Sequence, residues 1–213
     1  MTVATDARAL FRAAYENRYT WDANFPGYTA DVKLTQGDET YTGHLRVGPA
    51  PDFSVEVSGI EDEKVKESVY TQLRDVITHR KRKTFDESHG GNSFSLGKTD
   101  STGAVEILVQ GDAMGSNYSV RNNQISLVSR VMGRMAFVIH HRDSLDTGEG
   151  YVSSNYTAVF RNPQTNEVIR QMEFEDTYDK VGDYYLMIRQ VIHVNEQGNK
   201  TTTKFEFSNV EVL

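Results

Sequence analysis

Cysteine is absent from the 213 residues, which excludes disulfides, thiolate nucleophiles, iron–sulfur clusters and cysteine-based zinc sites together. No apolar run approaches the ~18 residues a membrane-spanning helix requires, so no transmembrane segment is expected. Positive charge is the scarcer sign: 23 Lys and Arg against 30 Asp and Glu leave a net charge of −7. A duplex nucleic acid or an anionic lipid surface is therefore repelled by the chain as a whole, and only a local basic patch would bind one. Nucleic acid is not an expected partner. The N-terminus carries no basic leader followed by an apolar stretch, which points to a cytoplasmic setting. Neither Gly-x-Ser-x-Gly, nor a glycine loop ending in Gly-Lys-Ser/Thr, nor His-Glu-x-x-His occurs, so the expectation is a protein that is no enzyme and takes no cofactor.

What is present describes architecture. Twenty-two aromatic residues are too many for a disordered chain, and the length fits one domain over residues 1–213. Leu10, Phe11, Ala14 and Tyr15 share one side of a helix over about 5–17, capped by Thr5 or Asp6. Tyr19–Gly27 follows as a connector whose aromatics pack against the core. The period then changes from 3.6 to 2. Tyr28, Ala30, Val32 and Leu34 alternate with Thr29, Asp31, Lys33 and Thr35. Tyr41, Leu45 and Val47 make the returning strand, and Phe53, Val55 and Val57 a third. A second helix, about 61–80, carries the stripe Val65, Val69, Leu73, Val76 and Ile77.

From Asn92 onward nine further strands are expected, near 92–97, 104–110, 116–121, 124–131, 134–142, 151–161, 167–175, 183–195 and 200–212. The strand at 151–161 should have one wet face. That at 183–195 is apolar on both faces, so something covers Tyr185, Met187 and Val191. The fold expected is mainly β (α+β): a single highly curved antiparallel sheet or incomplete barrel of about 10 to 12 strands, with two helices packed on or across it.

The segment Ala9–Asp22, Phe25-Pro26-Gly27-Tyr28, His79-Arg80-Lys81-Arg82, His89-Gly90 and Asp146-Thr147-Gly148-Glu149-Gly150-Tyr151 together resemble, over essentially the whole chain, a family of cyanobacteria and plastids known as domain of unknown function 3386. That resemblance implies a phototroph's cytoplasm or thylakoid surface and no particular activity. The topology is also similar to the half-barrel of the bacterial periplasmic lipoprotein carriers, which hold acyl chains between a curved sheet and helices. This chain departs from those carriers in showing no signal peptide.

Each candidate site competes with an ordinary structural role. His79-Arg80-Lys81-Arg82-Lys83 would suit a phosphate or an acidic headgroup, yet cations also complement a helix C-terminus. His89 beside Gly90 and Gly91 reads as a loop. His140 and His141, with Asp143, Asp146 and Glu149, invite a metal, but adjacent strand residues face opposite ways, so no metal site is expected. Glu173, Glu175 and Asp176 read as a solvated face.

Two functions stand open. The first is a non-enzymatic carrier of a hydrophobic or amphiphilic small molecule, lipid or pigment-like. Its ligand would lie in a cavity under the second helix walled by Trp21, Phe137, Tyr156 or Tyr184, with Arg80 or Arg130 at the rim for an acidic headgroup. The second is an assembly factor with a filled core, whose face around Tyr185, Met187 and Val191 docks a protein partner. Nothing in the sequence sets an oligomeric state.

Overall fold

The computed structural model describes residues 6–111 and 116–213. Its elements run α1 (Ala7–Glu16), β1 (Tyr28–Gln36), β2 (Glu39–Val47), β3 (Val55–Ser58), α2 (Glu63–Arg80), α3 (Phe85–His89), β4 (Ser93–Thr99), β5 (Val105–Gln110), β6 (Ser116–Arg121), β7 (Gln124–Met132), β8 (Met135–Asp146), β9 (Tyr151–Arg161), β10 (Val168–Val181), β11 (Tyr184–Glu196) and β12 (Asn199–Val212). The strands form one open antiparallel sheet ordered β3-β2-β1-β12-β11-β10-β9-β8-β7-β6-β5-β4. Every neighbouring pair is consecutive in sequence except β1 with β12, as expected of a meander built from short reversals. β3 and β4 are the two edges, so the sheet does not close on itself.

The backbone gathers into two compact units. One comprises the described residues up to Tyr19 with Lys83–Glu173 and Val194–Asn199; the other comprises Thr20–Arg82, Phe174–His193 and Lys200–Leu213.

In the first unit α1 buries Ala7, Phe11, Ala14 and Tyr15. Asp6 is its N-cap, accepting a hydrogen bond from the Arg8 amide at 3.0 Å; Thr5 lies outside the described residues. This face packs with Phe85, Ile107, Val109, Tyr118, Val120 and Ile125 into one apolar cluster. The Asp146–Tyr151 motif secures the far end of the helix. Tyr19 N–H donates to the Tyr151 carbonyl at 2.8 Å and Tyr151 N–H to that of Asn17 at 2.9 Å. Gly150 lies between them at φ 140°, and a Cβ there would stand 2.5 Å from the Asn17 oxygen. Only glycine allows so close a backbone approach.

In the second unit β1 buries Tyr28, Ala30, Val32 and Leu34, the four that alternation selects. The α2 stripe is down as expected: Val65, Val69, Leu73 and Ile77 are buried and Val76 half-buried, with the helix against β3. The Asp62 carboxylate caps it, accepting from the Lys64 and Val65 amides.

Several expectations need correction. A third helix, α3, follows α2; its capping box, Thr84 with Glu87, is local chemistry too short to show as periodicity. His89 thus ends a helix rather than occupying a loop. Phe53 precedes β3 at φ 49° and is buried, so it anchors a turn and does not extend the strand. In β9 Tyr151, Val152 and Ala158 are buried and the other residues half-buried, so the two faces differ less than alternation predicts. β10 continues to Val181, beyond the expected end near 175, and Asp176, expected on a solvated face, is buried within it.

Candidate functional site

Trp21, Tyr184 and Arg80 belong to the second unit, where they are structural. Trp21 is 2% exposed. It stacks on Phe25 at 4.2 Å and 4°, with Phe53 at 6.0 Å, and its indole N–H donates to the Tyr185 carbonyl at 3.3 Å. Rings, rather than space, occupy that position. Tyr184 meets Phe25 edge-on at 4.9 Å, and its hydroxyl donates to Asp22 at 3.2 Å. Arg80 donates to the Tyr178 hydroxyl at 3.0 Å and lies over that ring. Burial pushes the Tyr178 phenol up from its usual range while Arg80 pulls it back.

Two of the other expected cations near α2 are likewise engaged. Lys81 donates to the Pro51 carbonyl at 3.0 Å, and Arg82 to the Thr20 hydroxyl at 3.0 Å. Arg82 therefore ties the connector to the end of α2, and Lys81 ties that end to the loop before β3.

Arg130, Phe137 and Tyr156 fall in the first unit, and the strand register sets them on one face. Directly opposed residues share a face, and alternate residues along a strand return to it. Ser116 opposes Arg130, Arg130 opposes Phe137, and Phe137 opposes Phe160. The parallel row is Tyr118, Val128, Ile139 and Ala158, and one further step pairs His141 with Tyr156. Tyr118 and Val128 belong to the cluster under α1, which identifies this as the face the helix covers.

Beyond α1 the cover thins: Phe137, Ile139, Tyr156 and Phe160 are all half-buried. Phe137 and Phe160 are 6.1 Å apart. Arg130 is held by its Nε donating to the fully buried Ser116 hydroxyl at 2.8 Å. Arg170, from β10, lies over the Phe160 ring at 4.7 Å. Two guanidinium groups therefore flank a pair of half-exposed rings. Among the described residues, neither has a carboxylate within ion-pairing distance. Chemically this is an apolar strip with unneutralised cations at its side, suited to an acyl or ring system bearing an acid.

Arg170 and Phe160 were not legible as site residues. Phe160 reads as an ordinary inward strand position, and the placement of Arg170 depends on a pairing that no motif announces.

Two surface clefts are lined by other residues. One of about 400 Å³ contains Asp31 and His44. His44 Nδ1 lies 2.5 Å from the Asp31 carboxylate, which also accepts from Asn209 at 2.6 Å. Those bonds, Asn209 first, hold the carboxyl below its usual range. The other cleft, of about 590 Å³, has Arg189, Lys200 and Lys204 on its walls.

His140 opposes Thr157 and His141 opposes Tyr156, so the two imidazoles point to opposite faces. Among the described residues no group of three or more His, Asp or Glu is gathered as for a metal ion. Among the described residues no helix is long and apolar enough to cross a membrane. Met187 and Val191 are 7% and 5% exposed, which removes them as a free docking face.

Comparison with known proteins returns little about activity. No curated protein matches the chain. Among solved structures it is similar to a LolA-superfamily protein from Nitrosomonas europaea, at 9% identity and a TM-score of 0.33, covering 99% of this chain and 94% of that one. It is also similar to a DUF1329 family protein from Desulfovibrio piger, at 9% identity and a TM-score of 0.28, covering 98% and 94%. Likenesses this distant assign no activity. Over residues 2–213 the chain matches, and so belongs to, the family described as "Protein of unknown function (DUF3386)".

Proposed function

We propose that the protein is a non-enzymatic binder of an amphiphilic small molecule carrying an acidic group, held on the face of β7–β9 beyond α1. The observation that carries this reading is the row Ser116–Arg130–Phe137–Phe160, in which a tethered guanidinium without a carboxylate partner stands beside two half-buried rings. The apolar part of the ligand lies along Phe137, Phe160 and Ile139, and the acid meets Arg130 with Arg170 on the other side. Burying apolar ligand surface at roughly 25 cal/mol per Å² supplies affinity. The charge-assisted bonds orient the molecule and select acids over alcohols or esters. Trp21, Tyr184 and Arg80 act indirectly in this reading, by keeping the second unit packed.

Titration with a fluorescent fatty-acid analogue tests it. Saturable binding is expected for the wild type, weakened roughly ten- to a hundredfold in Arg130→Gln, since losing one charged hydrogen bond costs roughly 1.5–3 kcal/mol. The methyl ester of the same probe should bind wild type and variant alike. Absence of saturable binding to the wild type, or equal affinity for acid and ester, would remove the reading.

A further inference from the structure

The β7–β8 hairpin ends in an exposed apolar tip. Met132 is 58% exposed, Val131 51% and Met135 38%, three of the six large hydrophobic residues that lie in the open among the described residues. The turn between them is Gly133-Arg134, with Gly133 at φ 59°, and a Cβ placed on Gly133 would meet no atom. Among the described residues none is placed over this end, and all five positions from Val131 to Met135 are exposed.

Its charge is equally unusual. Thirty of the 213 residues are acidic, yet residues 113–142 contain no Asp or Glu and include Arg121, Arg130, Arg134 and Arg142. Arg142 is paired with Glu173 at 3.1 Å, whereas the described residues provide no carboxylate partner for Arg134. On a protein of net charge −7, apolar side chains and an arginine without a carboxylate partner among the described residues coincide at one hairpin tip.

We propose that this tip docks on an anionic lipid surface, with Val131, Met132 and Met135 entering the headgroup boundary and Arg134 meeting lipid phosphates. Met is suited to an irregular acyl boundary, and an arginine stem lies along apolar surface while its head stays with the phosphates. An acidic protein would satisfy the arginine but would leave three flexible apolar side chains without a complementary pocket, which favours lipid. The remaining negative charge of the chain keeps the contact confined to the tip and reversible. Met132 and Met135 form the next row of the face that carries Arg130 and Phe137, but this inference needs no bound amphiphile, and Arg134 lies in the turn, off that row.

Vesicle sedimentation tests it. The wild type should partition onto vesicles of equal phosphatidylglycerol and phosphatidylcholine, and not onto phosphatidylcholine alone. Binding should weaken when salt is raised from 0.05 to 0.5 M, as the screening length shortens. Arg134→Gln should weaken partitioning on the order of fivefold. Met132→Asp with Met135→Asp should abolish it with unchanged thermal unfolding, and Arg134→Gln should leave the affinity for the soluble fatty-acid probe unchanged. Equal partitioning onto both vesicle types, or wild-type partitioning by the double variant, would overturn the proposal. So would a wild type that ignores vesicles and binds polyglutamate, which would assign the tip to an acidic protein.

Discussion

Five aromatic rings converge on His89: Phe11 and Tyr15 at 5.1 Å, Phe85 at 5.6 Å, and Phe94 and Tyr118 at 6.4 Å. Burial, followed by the fields of Arg18, Arg130 and Arg8, lowers its pKa to about 4. An ordinary imidazole titrates near 6.5. The unfolded chain therefore takes up a proton at a pH where the folded one refuses it. The contribution of His89 to stability is complete above about pH 6.5 and is lost as pH falls from there toward about 4. Its ring resonances should show a midpoint near 4 by NMR, and Arg18→Gln should move that midpoint upward. A midpoint at the ordinary value would mean that the rings do not enclose it. At this scale the sequence was only partly legible. The strands of Arg130 and Phe137 were legible from the turn at Gly133, but not their place: the sequence reading sets them under the second helix, whereas the register puts them on the face that α1 covers. Asp176 and Gln190 could not be placed inside: both are polar residues in long strands, yet they are 8% and 1% exposed and bonded to each other at 2.8 Å.

Among the elements, α2 was the clearest from its pattern, and its energetics follow directly. Leu73 is 2% exposed at the centre of the buried stripe. Leu73→Asp would place a carboxylate there without a partner and should destabilise the fold by roughly 3 kcal/mol or more in urea unfolding. Asp62→Ala removes only the N-cap and should cost about 1 kcal/mol. An unchanged midpoint for Leu73→Asp would show α2 to be a detachable lid. By contrast α3 and the true limits of β10 escaped the pattern for opposite reasons. Five residues are too few to display a period of 3.6. In β10 the alternation continues through an acidic residue, and an acid normally signals solvent; only its partners reveal that it is inside.

For the molecule as a whole, the decisive feature is the single non-consecutive pairing. β1 lies between β2 and β12, and β12 between β1 and β11. The register from Tyr28 with Val212 to Gln36 with Thr203 joins the first strand to the last. A meander could be counted from the sequence because each hairpin has its own turn signal; this pairing has none, since it depends on which strand edges remain unsatisfied. Its consequence is kinetic as well as structural. Closing nearly the full chain costs entropy that grows only as (3/2)RT ln n, but it must be met before the pairing contributes anything, which places folding among the slower non-local cases. A chain ending at Glu196 would leave the edges of β1 and β11 open, with rows of unpaired backbone groups that template association. That truncation should lose hydrogen-exchange protection in the β1 amides that face β12 and should aggregate on refolding, and adding residues 197–213 as a separate peptide should restore part of the protection. If the truncated chain instead refolds to a soluble state with β1 protected, then β2, β3 and α2 suffice to hold β1, and the last strand contributes only an edge.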